Sequence, residues 1–124
     1  MRRLTAGRLN AAGLIVPSLT LHCVGARSGL PRDVELMCVP DGEAWLITGS
    51  NFAGERHPGW TYNLLAHPEV AITYRGHRRQ VTAHLVTDAE REATWAFIER
   101  QWPGYRGYER VSGRTLRIFR LSPR

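Results

Sequence analysis

Between residues 18 and 24 the chain alternates strictly, with Leu19, Leu21 and Cys23 on one side and Ser18, Thr20 and His22 on the other. A period of two is the signature of a strand with one buried face. Five further short apolar runs follow, each too short for an independent helix, and each predicts a strand. They span residues 33–39, 44–49, 70–74, 80–86 and 114–121. In the fourth strand Val70, Ile72 and Tyr74 share a face, and in the fifth Val81, Ala83 and Leu85 do. Residues 1–16 show no clear period and read as an irregular arm or a short helix.

Glycine and proline punctuate these runs. Residues 25–32 (Gly-Ala-Arg-Ser-Gly-Leu-Pro-Arg) can continue neither flanking strand and read as a hairpin loop. Pro40-Asp41-Gly42 and Arg75-Gly76-His77 predict turns. Pro58 is placed to open a helix over 59–66, which His67-Pro68 must end, since proline disfavours helix at the residue before it. Thr87-Asp88-Ala89-Glu90 has the capping-box pattern. The helix after it sets Ala89, Ala93, Ala96 and Phe97 on one face, and Trp102-Pro103-Gly104 breaks it. Hairpin-joined strands, with one helix between the third and fourth and another between the fifth and sixth, predict a small, mostly antiparallel barrel whose ends are plugged by helices.

A chain of 124 residues is long enough for one core of moderate size; residues 1–17 are expected to form an arm and 18–124 the domain. The formal charge of +6 comes entirely from arginine, because the sequence contains no lysine. Such a surface favours anionic partners. The arginines are spread along the chain rather than gathered in a block, which argues against nucleic acid. Cys23 and Cys38 lie inside apolar runs and read as buried thiols, not as a disulfide scaffold or a metal pair. No stretch reaches the roughly 18 apolar residues of a membrane span, and the broken, polar stretch 11–21 makes a poor signal peptide. A cytoplasmic setting is expected.

Three features carry candidate chemistry. Arg27 and Arg32 flank the glycine-containing loop, whose backbone amides could turn inward as an anion-binding concavity, and guanidinium forks suit phosphate or carboxylate. The alternative is a solvated hairpin that carries two arginines. Ser50 and Asn51 follow the third strand, with Trp60 and Asn63 on the next helix. Trp102, Tyr105 and Tyr108 are spaced by threes. They form either packing or an aromatic wall over a flat ligand with a tyrosine hydroxyl able to donate a proton. No nucleophile elbow, P-loop or dinucleotide fingerprint occurs, and the five histidines lack metal-ligand spacing.

These segments, in this order, resemble the deazaflavin-dependent nitroreductase family. The likeness runs through Gly25-Ala26-Arg27-Ser28-Gly29-Leu30-Pro31-Arg32, Ser50-Asn51, His57-Pro58-Gly59-Trp60-Thr61-Tyr62-Asn63-Leu64 and Trp102-Pro103-Gly104-Tyr105-Arg106-Gly107-Tyr108, and covers about residues 18–122. It implies a split β-barrel of the FMN-binding-like kind, with six or so mainly antiparallel strands and two to three helices. It also implies the deazaflavin coenzyme F-420 as cofactor. By position it puts Arg27, Ser28 and Gly29 at the cofactor's phosphate with Arg32 nearby. Thr48, Ser50 and Asn51 would line the deazaflavin ring, and Trp60 and Asn63 would approach it from the helix. Tyr105 matches the proton donor, with Met37, Trp102 and Tyr108 shaping the acceptor pocket. Arg27 replaces a family lysine, Glu35 a proline and Met37 a frequent aromatic; Trp60-Thr61 stands for a Trp-Tyr pair, and Trp102 for a common tyrosine.

The sequence therefore reads as an oxidoreductase that transfers a hydride from reduced deazaflavin to a quinone, nitroaromatic or similar planar acceptor. An FMN-dependent reductase of the same fold, or a non-catalytic carrier of the cofactor or another flat or lipidic ligand, are the alternatives. Pairing into a homodimer and contact with a membrane surface are compatible with this reading, while no nucleic-acid partner is expected.

Overall fold

The computed structural model describes residues 7–9, 15–49, 57–107, 109 and 115–124. Among them run eight strands and two helices. The strands before the first helix are β1 (Gly7–Leu9), β2 (Ile15–Val24), β3 (Pro31–Met37), β4 (Val39–Asp41) and β5 (Ala44–Thr48). Helix α1 (Gly59–Ala66), β6 (Glu69–Tyr74), β7 (His77–Leu85), helix α2 (Asp88–Gln101) and β8 (Ile118–Pro123) complete the order. The arm expected at the N-terminus thus contains a short strand, in which Gly7, Arg8 and Leu9 pair antiparallel with Pro17, Val16 and Ile15.

Every strand pairing is antiparallel. The order is β1-β2-β6-β7-β8-β5-β4, and β3 pairs with β2. Because β3 and β4 are successive pieces of one chain segment, the sheet returns on itself. Its N-terminal half pairs with β2 through Leu19↔Leu36 and Leu21↔Val34, its C-terminal half with β5 through Val39↔Leu46. The single strand expected over 33–39 is therefore two, broken at Cys38, where the segment changes partner. Cys38 N–H is satisfied across the break by the Pro17 carbonyl at 2.8 Å. Pro40 lies inside β4, opposite Trp45, rather than in a turn. With β5 as β4's partner, the donor that proline lacks leaves no gap in the ladder. The reversal itself falls on Gly42-Glu43, between the paired Asp41 and Ala44. Arg75-Gly76 makes the β6–β7 turn with φ of +51° and +80°, the doubly positive geometry that matches the twist of a tight hairpin.

Inside the curl lies one core: Leu19, Leu21 and Cys23 of β2, Trp45 and Ile47 of β5, Val70 and Ile72 of β6, Val81 and Ala83 of β7, and Phe119 and Leu121 of β8. Helix α1 closes it with Trp60 and Leu64, and the Trp60 ring lies 5.9 Å from that of Phe119. Leu85 does not join Val81 and Ala83; at the end of β7 it is 43% exposed. A second core covers the outer face of β4, β5 and β8, where Val39, Leu46 and Ile118 meet Trp95 and Ile98 of α2. Covered on both sides, β5 buries Trp45, Leu46 and Ile47 in succession.

Helix α2 starts where its capping residues predict: Thr87 N–H donates to Glu90 Oε1 at 3.0 Å. Its buried face differs from the alanine face read from sequence. Thr94, Trp95 and Ile98 go inward, while Ala89, Ala93 and Ala96 are exposed and Phe97 is half-buried. A tryptophan buries far more apolar area than an alanine, so Trp95 fixes the helix's rotation.

Candidate functional site

The loop between β2 and β3 closes on itself. Gly25 N–H donates to the Leu30 carbonyl at 2.9 Å, and Gly29 N–H donates to the Gly25 carbonyl at 3.0 Å. Leu30 N–H donates to Ser28 Oγ at 3.1 Å. Ala26 N–H donates outside the loop, to Asn63 Oδ1 of α1 at 2.8 Å. Four backbone donors expected to face an anion are thus spent on the loop's own shape and its attachment. Ser28 is folded under Gly25 so closely that a Cβ there would lie 2.4 Å from Ser28 Oγ, which is why glycine opens the loop.

What the loop presents outward is charge. Arg27 and Arg32 are exposed, and among the described residues neither forms an ion pair with a carboxylate. Both line a cavity of about 860 Å³, together with Gly25, Ala26 and Ser28 of the loop and His57, Gly59, Tyr62 and Asn63 on the α1 side. Among the described residues no carboxylate lines it, and the two guanidinium groups make their side of it positive. Gly29, at φ +72°, belongs to the loop but not to this lining.

Helix α1 divides its faces between core and cavity. Trp60, Thr61 and Leu64 are buried, which turns Gly59, Tyr62 and Asn63 toward the cavity. Tyr62 is 47% exposed, with the Arg117 guanidinium 4.5 Å from its ring centroid and the His57 ring 6.3 Å away, edge to face. Arg117 is held there by donating from Nη1 to Thr61 Oγ1 at 3.1 Å. Tyr62 and His57 enter the sequence reading within the stretch 57–64 that carries the resemblance, with no role of their own. The signal was present, because Gly59, Tyr62 and Asn63 follow i, i+3, i+4 opposite the apolar face. Asn63 Nδ2 donates to Cys23 Sγ at 3.7 Å. Burial pushes the Cys23 thiol above its ordinary range, and the Asn63 hydrogen bond offsets part of that.

The remaining sequence candidates gather elsewhere. Trp60 lies in the barrel core and not on the cavity wall. Trp102 and Tyr105 belong to the α2 core, their rings stacked at 3.9 Å and 6°, with Trp95 edge-on to Tyr105 at 6.1 Å. Met37 packs against the same cluster. Thr48, at the end of β5, donates its hydroxyl hydrogen to Tyr105 Oη and so ties the strand to this aromatic turn. The turn is also pinned to α2. Arg106 N–H donates to Glu99 Oε2 at 2.7 Å, and the Arg106 guanidinium grips both Glu92 oxygens at 2.9 and 2.7 Å. Ser50, Asn51 and Tyr108 lie outside the described residues. Among the described residues no helix is long and apolar enough to cross a membrane, and no cluster of three metal-ligating side chains occurs.

A family model described as F420H(2)-dependent quinone reductase matches residues 1–123. The chain belongs to this family. It is an oxidoreductase, and its cofactor is coenzyme F-420. The F420H(2)-dependent quinone reductase of Mycobacterium tuberculosis strain H37Rv is 35% identical over 111 residues, covering 87% of this chain and 74% of that protein. A solved F420-H2-dependent reductase, FDR-A, superposes with a TM-score of 0.76 at 27% identity, over 86% of this chain and 94% of the other. A structure described as a domain-swapped dimer superposes with a TM-score of 0.77 at 26% identity, over 94% and 88%. The curled antiparallel sheet is thus a split β-barrel of the FMN-binding-like kind. The residues present fit an acidic, phosphate-bearing cofactor. Two guanidinium groups face an open cavity with no carboxylate among its described lining residues, and its volume is within the several hundred to about 1,000 Å³ usual for cofactor sites.

Proposed function

We propose that this member of the family reduces a small planar acceptor, a quinone foremost and nitroaromatics among the others, with the acidic end of the coenzyme held by Arg27 and Arg32. The observation that carries the reading is the cationic cavity between the β2–β3 loop and α1. When bound, the reduced coenzyme supplies a hydride; the protein's part is to bind, orient and manage the proton. Arg27 and Arg32 offer planar forks that suit a phosphate monoanion or dianion, at about twice the strength of a neutral hydrogen bond. Ser28 and Gly29 shape the loop that carries them. Thr48, Ser50, Asn51 and Asn63 are assigned to the side on which the planar ring would lie, with Trp60 behind them in the barrel core, and Met37, Trp102 and Tyr108 to the acceptor's surroundings.

Tyr105 is assigned the proton. The hydrogen bond between Thr48 and its Oη holds the hydroxyl in one place, as a positioned acid requires. Two copies pairing as a homodimer is part of this reading, supported by the dimeric solved neighbour.

The test is titration of the purified protein with coenzyme F-420 and with FMN, followed by visible absorbance, then turnover with menadione and with a nitroaromatic. Saturable coenzyme F-420 binding with turnover of menadione is expected. Tight FMN binding without affinity for the deazaflavin, or binding without turnover of either acceptor, would overturn it.

A further inference from the structure

We propose that Asn63 is a positioning residue, a clamp that fixes the arginine loop to α1 and so sets where Arg27 and Arg32 stand. The orientation of its amide follows from its neighbours. Ala26 N–H can only donate, so it must meet Oδ1, at 2.8 Å. Nδ2 then faces Cys23 Sγ at 3.7 Å, and sulfur accepts. One side chain thereby joins the end of β2, the loop and the helix at a single point.

The other bonds of the loop, Gly25 to Leu30, Gly29 to Gly25 and Leu30 to Ser28, are internal. They fix the shape of the loop but not its place. Among the described residues, Ala26 to Asn63 is the hydrogen bond that ties loop to helix. Asn63 lines the cavity too, and its Oδ1 and one Nδ2 hydrogen are engaged within the protein, which locks the amide in the orientation that holds the loop. Pre-organisation of this kind appears in affinity, because a loop already in place has less entropy to lose when the ligand arrives.

The inference rests on the reading that this loop grips the coenzyme, and the experiment separates the two. In the full-length protein without cofactor, amide hydrogen exchange is measured by NMR at Ala26 and, as a control, at Ile72 in the barrel core. Asn63→Ala is expected to speed exchange at Ala26 by about tenfold, the equivalent of one ordinary hydrogen bond, and to leave Ile72 unchanged. The Kd for coenzyme F-420 should rise by a similar factor. Asn63→Asp, nearly the same shape, retains the acceptor and should keep the native protection at Ala26. Unchanged exchange at Ala26 in Asn63→Ala, lost protection in Asn63→Asp, or a Kd that stays put while Ala26 loses protection would each overturn the clamp. Should Arg27→Ala/Arg32→Ala leave the Kd unchanged, the site reading fails and the Kd comparison with it; exchange at Ala26 in Asn63→Ala then decides the clamp alone.

Discussion

Thr48 donates its hydroxyl hydrogen to Tyr105 Oη, joining the last residue of β5 to the turn that follows α2. Tyr105 lies between Trp102, stacked on it, and Trp95, edge-on to it, so the ring is held from two sides and the hydroxyl from a third. Tyr105→Phe keeps both ring contacts and removes only the hydroxyl. Turnover of menadione is expected to fall by roughly a hundredfold, the lower end of what a positioned acid contributes, with coenzyme affinity nearly intact. Stability should drop by only about 1 kcal/mol, as for one ordinary hydrogen bond. An unchanged rate in steady-state assays would make this tyrosine a packing residue and leave the proton to solvent.

The tight contact between Gly25 and Ser28 predicts an effect on binding rather than on folding. Gly25→Ala drives a methyl group against Ser28 Oγ. Ser28 must then turn away and release the Leu30 N–H, at a cost of about 1 kcal/mol. The expected outcome is weaker coenzyme binding by calorimetry, with a melting temperature lowered by no more than a few degrees.

Glu109 should matter more to the aromatic turn than its neighbours on the surface do. Its carboxylate accepts from Arg91 Nη2 at 2.5 Å, Arg106 Nε at 3.3 Å and the Leu116 N–H at 2.9 Å, and its side chain is only 15% exposed. Glu109→Gln removes the counter-charge that Arg91 and Arg106 share and leaves Arg106 to Glu92, and urea unfolding is expected to show a loss of about 2 kcal/mol. Glu92, whose side chain is 80% exposed, should be nearly silent in the same measurement.

Cys38 gives the protein an alkaline limit. Burial pushes its thiol from 9.0 up to about 12. Between those values the unfolded chain has given up this proton and the folded one still holds it. Its contribution is therefore complete below about pH 9 and is lost as pH rises toward 12. Cys23, also raised by burial, acts in the same direction. Cys38→Ala is expected to lower stability at neutral pH and to flatten the decline in urea midpoint above about pH 9. A decline as steep in Cys38→Ala as in the native protein would contradict this.

Much of the fold was legible because its signals are local. Pro58 and His67-Pro68 bracket α1, the glycine-rich loop separates β2 from β3, and alternation marks β2 and β6. The break at Cys38 was not legible, since it arises where one segment exchanges β2 for β5 as partner, a tertiary event with no local mark. The rotation of α2 is not legible from the spacing of Ala89, Ala93, Ala96 and Phe97, because three small side chains and one phenylalanine bury less than the face of Trp95 and Ile98. For the site, the arginines and Asn63 stood out by residue type and spacing. The attachment of the loop to α1 did not, because Ala26 and Asn63 lie 37 residues apart and leave no pattern in the sequence.

The central claim is that two guanidinium groups on one loop hold the cofactor, and a binding titration of Arg27→Ala/Arg32→Ala with coenzyme F-420 tests it most directly. Each charge-assisted contact is worth about 1.5–3 kcal/mol, so the double variant should bind at least about a hundredfold more weakly, with an unchanged melting temperature in the absence of coenzyme. Native affinity in a folded double variant would contradict the account.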